Sequence, residues 1–500
     1  MRYTLLFLLL IPAFASAQLQ LAKIFSSNMV LQRDQPIHFW GRALPGDSIY
    51  VSFAGAEKFA VAKSDSSWML FFGKQPASKH GQSAVVRSGN QKIVLTNILM
   101  GDIWLCIGQS NMQFSMREEV NFKSEVMQSN QAMMRFYNPS FIGKNVFGTS
   151  YSDSMIARLN VSDFYERTSW QESDSNSVKA MSAVGYFFGK KIMQSEQIPI
   201  GLIHMAIGGC PIETFMSRDA LKNSEKFSAK ASGNWLENST LPVWVRERGM
   251  QNVGAVKNVE ADDLGPNHAY KPGFAYASGI EPILKLPIKG ILWYQGESNA
   301  QEMERVNEYA DLQLLMIEDY RAKWRMPKMP FYWVQLSSID TVKYKGQLWP
   351  QFRDEQRKLI ARIPHGGMAV CSDIGFRDNV HPTNKKDVGE RLASWALSKT
   401  YHRSVVPSGP LPLLVKYEQN KILIRFLYGG GRLKTSDEKA LRGFSINGRD
   451  DVEAFIEGET IVIPGIKKPE FVYYGWRPFS DGNLLNEASL PASTFKMKVQ

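Results

Sequence analysis

Five apolar runs recur through the middle of the chain, at residues 103–107, 200–207, 288–294, 331–336 and 368–371. Amphipathic helical patterns separate most of them, at 178–197, 304–325, 350–363 and 385–400. Strands that alternate with helices pair in parallel, because a parallel pair needs a long crossover that folds back over the sheet. The expected core is therefore α/β, a parallel sheet covered by helices on both faces. Residues 215–287 exceed a simple crossover, so they are expected to form an insertion with helices of its own.

The flanks have a different period. Ile49, Val51 and Phe53 alternate near the N-terminus, beyond a Pro45-Gly46-Asp47 turn; Ile422, Ile424, Phe426 and Tyr428 do the same near the C-terminus. A period of two broken by Gly- and Pro-rich turns predicts antiparallel, sandwich-like β structure. The expected organisation is a signal peptide at 1–17, a β-sandwich-like domain at 18–99, a catalytic domain at 100–403 and a β-rich region at 404–500.

The signal peptide is read from Arg2, an apolar run over 5–15 and Ala15-Ser16-Ala17 before Gln18. No later segment offers 18 consecutive apolar residues, so the mature chain is expected to be exported without inserting into a membrane. Periplasm, exterior and a lysosome-like lumen stay open as compartments, the first two preferred. A composition of 44% hydrophobic and 21% charged residues excludes a disordered or collagen-like chain. The charge of +11 is not gathered into runs, which argues against a nucleic-acid partner. Cys106, Cys210 and Cys371 are an odd set without a CxxC spacing, and are expected as buried free thiols.

Polar, glycine-rich clusters follow four of the runs: Gly108-Gln109-Ser110-Asn111-Met112, Gly208-Gly209-Cys210-Pro211, Gln295-Gly296-Glu297-Ser298-Asn299, and Asp378-Asn379-Val380-His381-Pro382 after Ser372-Asp373. In open parallel sheets the ligand site lies outside the carboxyl ends of the strands, so the four clusters converge on one rim. Together they offer acyl transfer. Ser110 sits where a strand should turn into a helix and can serve as nucleophile; His381 can be its base and Asp378 the orienting acid. Gly209 can present a backbone N–H to an oxyanion, and Gln295 or Asn299 a side-chain amide.

These blocks closely resemble those of the sialate O-acetylesterase family, a branch of the SGNH hydrolases. The resemblance rests on the stretch from Gly101 to Met112, on Trp293-Tyr294-Gln295-Gly296-Glu297-Ser298-Asn299, on Asp378-x-x-His381-Pro382, and on Gly208-Gly209-x-Pro211-Ile212-Glu213. Ile207 and Cys210 replace the usual Trp and Thr of the last block, and the stretch 273–282 departs further from the family's pattern. The resemblance implies an SGNH-type three-layer α/β/α core, a Ser–His–Asp triad, removal of O-acetyl groups from sugars, and neither metal nor cofactor.

The expected function is a secreted carbohydrate esterase acting on O-acetylated sialic acid through a serine acetyl-enzyme. Acetylated xylan or xyloglucan is the alternative substrate, and a carbohydrate-binding protein with an inactive hydrolase core the alternative class. Arg377 is a candidate clamp for a substrate carboxylate. Glu297 is expected mainly as a buried organiser of its loop. Among the other histidines, His204 reads as a core residue and His268 as a possible sugar-pocket residue. Gly46-Asp47-Ser48 reads as a turn. The partner expected is an O-acetylated sugar or glycan, with the oligomeric state left open.

Overall fold

The structure is a computed structural model that describes residues 18–465 and 467–500. The expected signal peptide lies outside the described residues. Among them, no helix is long and apolar enough to cross a membrane.

The expected runs all lie in strands of one sheet. From one edge its order is Gln171–Ser173, Gln131–Tyr137, Ile200–His204, Gln91–Gly108, Gly290–Tyr294, Phe331–Val334 and Gly366–Ala369. Every pair is parallel except the first, which is antiparallel. The Gln131–Tyr137 strand was not among the expected runs. Gln91–Gly108 lies mid-sheet, flanked by the next two expected runs in chain order. Strand order reverses there, and the residues that follow it stand at the switch point of the sheet.

Register sorts the large side chains. Gly290 pairs with Trp104, Trp293 with Ile107, and Leu292 with Tyr332, so Trp104 and Tyr332 share one face and Trp293 the other. On the first face Trp104 meets Phe188 of helix Ala183–Glu196 edge-on at 4.8 Å, and that helix packs on helix Lys386–Lys399. On the second, Trp293 Nε1 donates to Tyr309 Oη of helix Met303–Lys323 at 3.2 Å. Helices thus lie against both faces.

Gln91–Gly108 is 18 residues long and continuous. Its first half pairs antiparallel with Ser78–Ser88, and its second half forms the middle of the parallel sheet. The boundary expected at 99/100 therefore falls inside one strand, and the N-terminal β region shares a sheet and a hydrophobic core with the α/β region. Within that β region Phe39 and Phe72 of a small three-stranded sheet pack on Phe53 of the extended sheet, at 5.4 and 5.7 Å between ring centres. Gly46, at φ +87°, makes the turn before strand Ser48–Phe53.

The C-terminal strands gather a second core around Ile422, Ile424, Ile461, Phe444 and Phe495. Arg353, fully buried in helix Trp349–Lys358, ties this region on by donating to the carbonyl of Gly475 at 3.1 Å and to that of Arg477. Residues 215–287 hold short helices, among them Arg218–Lys222 and Val243–Gly249, followed by a wider π-type turn at Met250–Gly254.

Candidate active site

Three of the four clusters are locked to one another. Gly108 lies at φ +135°, and a Cβ there would sit 2.2 Å from the Tyr294 carbonyl oxygen, so only glycine lets these two strand ends come together. Gln109 then pins the third cluster. Its Oε1 accepts from Gln295 Nε2 at 3.1 Å, Ser298 N at 3.2 Å and Gly296 N at 3.3 Å. Gln295 also donates to Asn299 Oδ1 at 2.8 Å and accepts from Tyr309 Oη at 2.7 Å. Asn299 accepts from Ile212 N and donates to Glu213 Oε2 at 3.0 Å, while Lys230 bridges Glu213 and Glu308 at 2.9 and 2.6 Å. Burial pushes the Glu213 carboxyl up, but Lys230 and Asn299 more than offset this and hold it below its usual value.

This network corrects one expectation. The amides of Gln295 and Asn299 are both 0% exposed and hold internal partners at both ends, so they brace the site from behind and do not face a substrate. Gly209 is placed differently. It lies at φ +74°, and its carbonyl accepts from Ser298 Oγ at 2.8 Å and Trp244 Nε1 at 3.2 Å. Its N–H has no internal partner among the described residues.

Ser110 opens the short helix Ser110–Gln113, half-buried, with the N–H of a first helical residue that has no acceptor four residues back. A methyl on Gly208 would lie 3.9 Å from Ser110 Cβ, so the glycine turn faces the serine. Beyond Gly208 is a small pocket lined by Gln113, Phe141, Phe147, Tyr151 and Tyr270. A larger cleft, with Arg33, Lys289, Arg325 and Lys399 in its walls, lies at the opposite ends of the strands, away from all four clusters.

The fourth cluster is looser. The Asp378 side chain is 66% exposed and pairs with Lys343 at 3.3 Å. His381 is fixed through its backbone N–H, which donates to Asn379 Oδ1 at 2.9 Å. Among the described residues no hydrogen bond joins the His381 ring to Asp378 or to Ser110, so the structure does not bring the expected triad into contact. Asp373, the other carboxylate after this strand, is committed to a bidentate pair with Arg391, both contacts 2.7 Å. Burial, then the charge of Lys385, pushes His381 down to about 4, against an opposing pull from Glu118.

A second buried set lies behind Ser110 and His381. Asn111 donates to Glu297 Oε1 at 2.5 Å and to the Val380 carbonyl at 3.0 Å, and accepts from Lys385 Nζ at 2.5 Å. Burial pushes the Glu297 carboxyl up and the Lys385 ammonium down. Glu297 is buried, bonded to Asn111, and does not reach the open rim. The Asn111 contact to Val380 ties the Ser110 helix to the His381 loop.

The Arg377 side chain is 66% exposed, pairs with Asp340 at 3.2 Å and lies 4.2 Å over the Phe479 ring. His268 is buried between Tyr151 and Trp235, stacked at 5.6 and 5.4 Å, and supports the pocket wall without lining it. His204 bonds to Asn138 at 2.8 Å inside the core. The three cysteines are free and buried. Among the described residues no group of three His, Cys, Asp or Glu side chains is disposed to hold a metal ion. Gln109, Asn111, Lys230, Tyr309 and Lys385 carry much of the site's framework, and none was expected in that role.

Comparison with known proteins gives a consistent answer. A family profile described as "Carbohydrate esterase, sialic acid-specific acetylesterase" matches residues 273–398. Sialate O-acetylesterase of Homo sapiens is 27% identical over 445 residues, 81% of this chain and 76% of that protein. The Rattus norvegicus protein of the same name is 26% identical over 457 residues, covering 81% and 78%. Among solved structures, a carbohydrate acetylesterase from Xanthomonas citri superposes with a TM-score of 0.78 at 27% identity, over 96% of this chain and 99% of that one. The chain is thus similar to sialate O-acetylesterases over 81% of its length, and it is an esterase of the hydrolase class.

Proposed function

We propose that this esterase removes O-acetyl groups from sialic acid through a serine acetyl-enzyme. The observation that carries the reading is the placement of Ser110 at the end of the switch-point strand, against the Gly208-Gly209 turn. Ser110 Oγ attacks the acetyl carbonyl and passes its proton to His381. The oxyanion is met by the N–H groups of Gly209 and Ser110. Collapse of the tetrahedral adduct expels the sugar oxygen, which takes the proton from His381. Water, deprotonated by the same imidazole, then releases acetate and regenerates Ser110.

Asp378 is the acid of this scheme. Asp373 is held by two short charge-assisted bonds, whereas Asp378 has one exposed contact worth about 0–1 kcal/mol. Little opposes a swing of its carboxylate from Lys343 to the imidazole, and such bonds often form only once substrate is bound. The same reading takes the α/β region as an SGNH-type three-layer core within residues 100–403, flanked by units at 18–99 and 404–500. It also takes residues 1–17 as a cleaved export signal, and the mature enzyme as periplasmic or extracellular. Acetate release from O-acetylated sialic acids set against acetylated xylo-oligosaccharides tests the substrate. Faster release from the xylo-oligosaccharides would move the reading to plant glycans, and no release from any ester would move it to a binding protein.

A further inference from the structure

Resting on that reading, we propose that Arg248 is the receptor for the carboxylate of the acetylated sugar. It lies in the last turn of helix Val243–Gly249, before the π-type turn, in the insertion. Its guanidinium is 4.6 Å from the Trp244 ring centre and 5.1 Å from that of Phe147. Trp244 donates to the carbonyl of Gly209, and Phe147 lines the pocket behind Gly208. The guanidinium charge also bears on Tyr151 and Tyr270, two further walls of that pocket, and on His268 behind them. Arg248 is thus one side chain removed from the proposed oxyanion glycine.

Two of its nitrogens, Nε and Nη1, are buried without a hydrogen-bond partner. Among the described residues no carboxylate lies within ion-pair distance of it, whereas Arg218, Arg377 and Arg391 each hold an aspartate. A guanidinium stays charged throughout the accessible pH range, and buried N–H groups without acceptors are costly. The aromatic faces offset that cost only in part. A carboxylate arriving with the substrate supplies a charged acceptor for one edge of this guanidinium. A neutral acetylated sugar supplies nothing of the kind, so Arg248 selects acidic sugars at a site whose acetyl chemistry is indifferent to charge.

The test compares O-acetylated sialic acid with its carboxyl methyl ester, and O-acetylated glucuronic acid with its methyl ester, as kcat/KM ratios within each pair. The wild-type enzyme is expected to favour an acid over its ester by about 10- to 100-fold, the size of a charge-assisted hydrogen-bonded pair. Preference in the sialic pair alone names sialate as the source of the carboxylate, and preference in both extends it to uronic acids. In Arg248→Met the ratio should fall toward one, chiefly through KM for the acid, and Arg248→Lys should keep part of it. The wild-type ratio decides even if the methionine variant fails to fold. Equal hydrolysis of acid and ester by wild type, or an unchanged ratio in Arg248→Met, overturns the role of Arg248 and leaves the sialate reading standing. Release only from acetylated xylo-oligosaccharides overturns that reading and this assignment together.

Discussion

The two halves of the rim are built in opposite ways. On one side Gln109, Gln295, Asn299, Glu213 and Lys230 join three loops through buried hydrogen bonds that leave the amides no freedom. On the other, the histidine loop offers an exposed Asp378, a single contact to Lys343, and a His381 ring without an acid partner. In the proposed reaction the first half meets the acyl group, whose charge develops at one fixed point and rewards a rigid frame. The second moves protons, which calls for a histidine that can approach and recede. Between them stands Asn111, whose bond to the Val380 carbonyl is a strut from the rigid half into the loose one.

The sharpest way to break this comparison is at the nucleophile. Ser110→Ala is expected to lose on the order of 10⁴ or more in kcat, with an unchanged unfolding midpoint, because the frame does not lean on this hydroxyl. Retained acetate release would remove Ser110 from the chemistry. Next comes the loose half. Asp378→Asn should lose ~10²–10⁴ in kcat with little change in KM, and Asp373→Asn clearly less, since Asp373 serves Arg391. If Asp373→Asn is the more damaged enzyme, the loop does not swing as proposed and the third member lies elsewhere.

The rigid half should answer in stability. Lys230→Met leaves Glu213 buried without its cation, and breaking such a pair costs about 3–5 kcal/mol. Lys343→Met, at the exposed contact to Asp378, should cost about 0–1 kcal/mol. Denaturant unfolding of the two variants side by side measures the contrast. Similar losses in both would mean that the two halves are not framed differently.

How much of this could be read beforehand follows from where each signal sits. Runs such as 288–294 announce buried strands because, beyond Lys289 at their start, residues 290–294 are all apolar or glycine, and the strand Gly290–Tyr294 is buried throughout. Gln131–Tyr137 stayed hidden because a charge sits in it. Arg135 is buried there, with its Nη1 answered by the backbone carbonyls of Ala132 and Met134. The site blocks were legible where their residues are contiguous, as in 108–112 and 295–299. Roles that depend on distant partners were not: Lys385 reaches Asn111 across 274 positions, and nothing near either residue announces it. The bracing role of Gln295 was hidden for a related reason. A polar side chain beside a nucleophile looks available until its internal partners are seen.

The smallest expected effect probes the joint between the two halves. Burial first, and the Lys385 charge second, push His381 down to about 4 from the model-peptide 6.5. The free enzyme then keeps its imidazole neutral, and able to accept a proton, well into mildly acidic solution. The acid limb of kcat/KM reports this free-enzyme ionisation, so its midpoint should lie near 4 and not near 6.5. The sign for folding follows from the same depression: between 6.5 and 4 the unfolded chain binds more protons than the folded one, so His381 makes folding less favourable as pH falls through that window. Lys385→Met removes the positive charge but not the burial. Glu297, raised by its own burial, is protonated across the acid limb and brings no compensating charge. The limb should therefore move to higher pH by a fraction of a unit up to about one unit, with the plateau rate less affected than in any variant above. A shift to lower pH would mean that Lys385 acts on His381 through the Asn111–Val380 strut and not through its charge, and the loose half would then be held more firmly than its exposed carboxylate suggests.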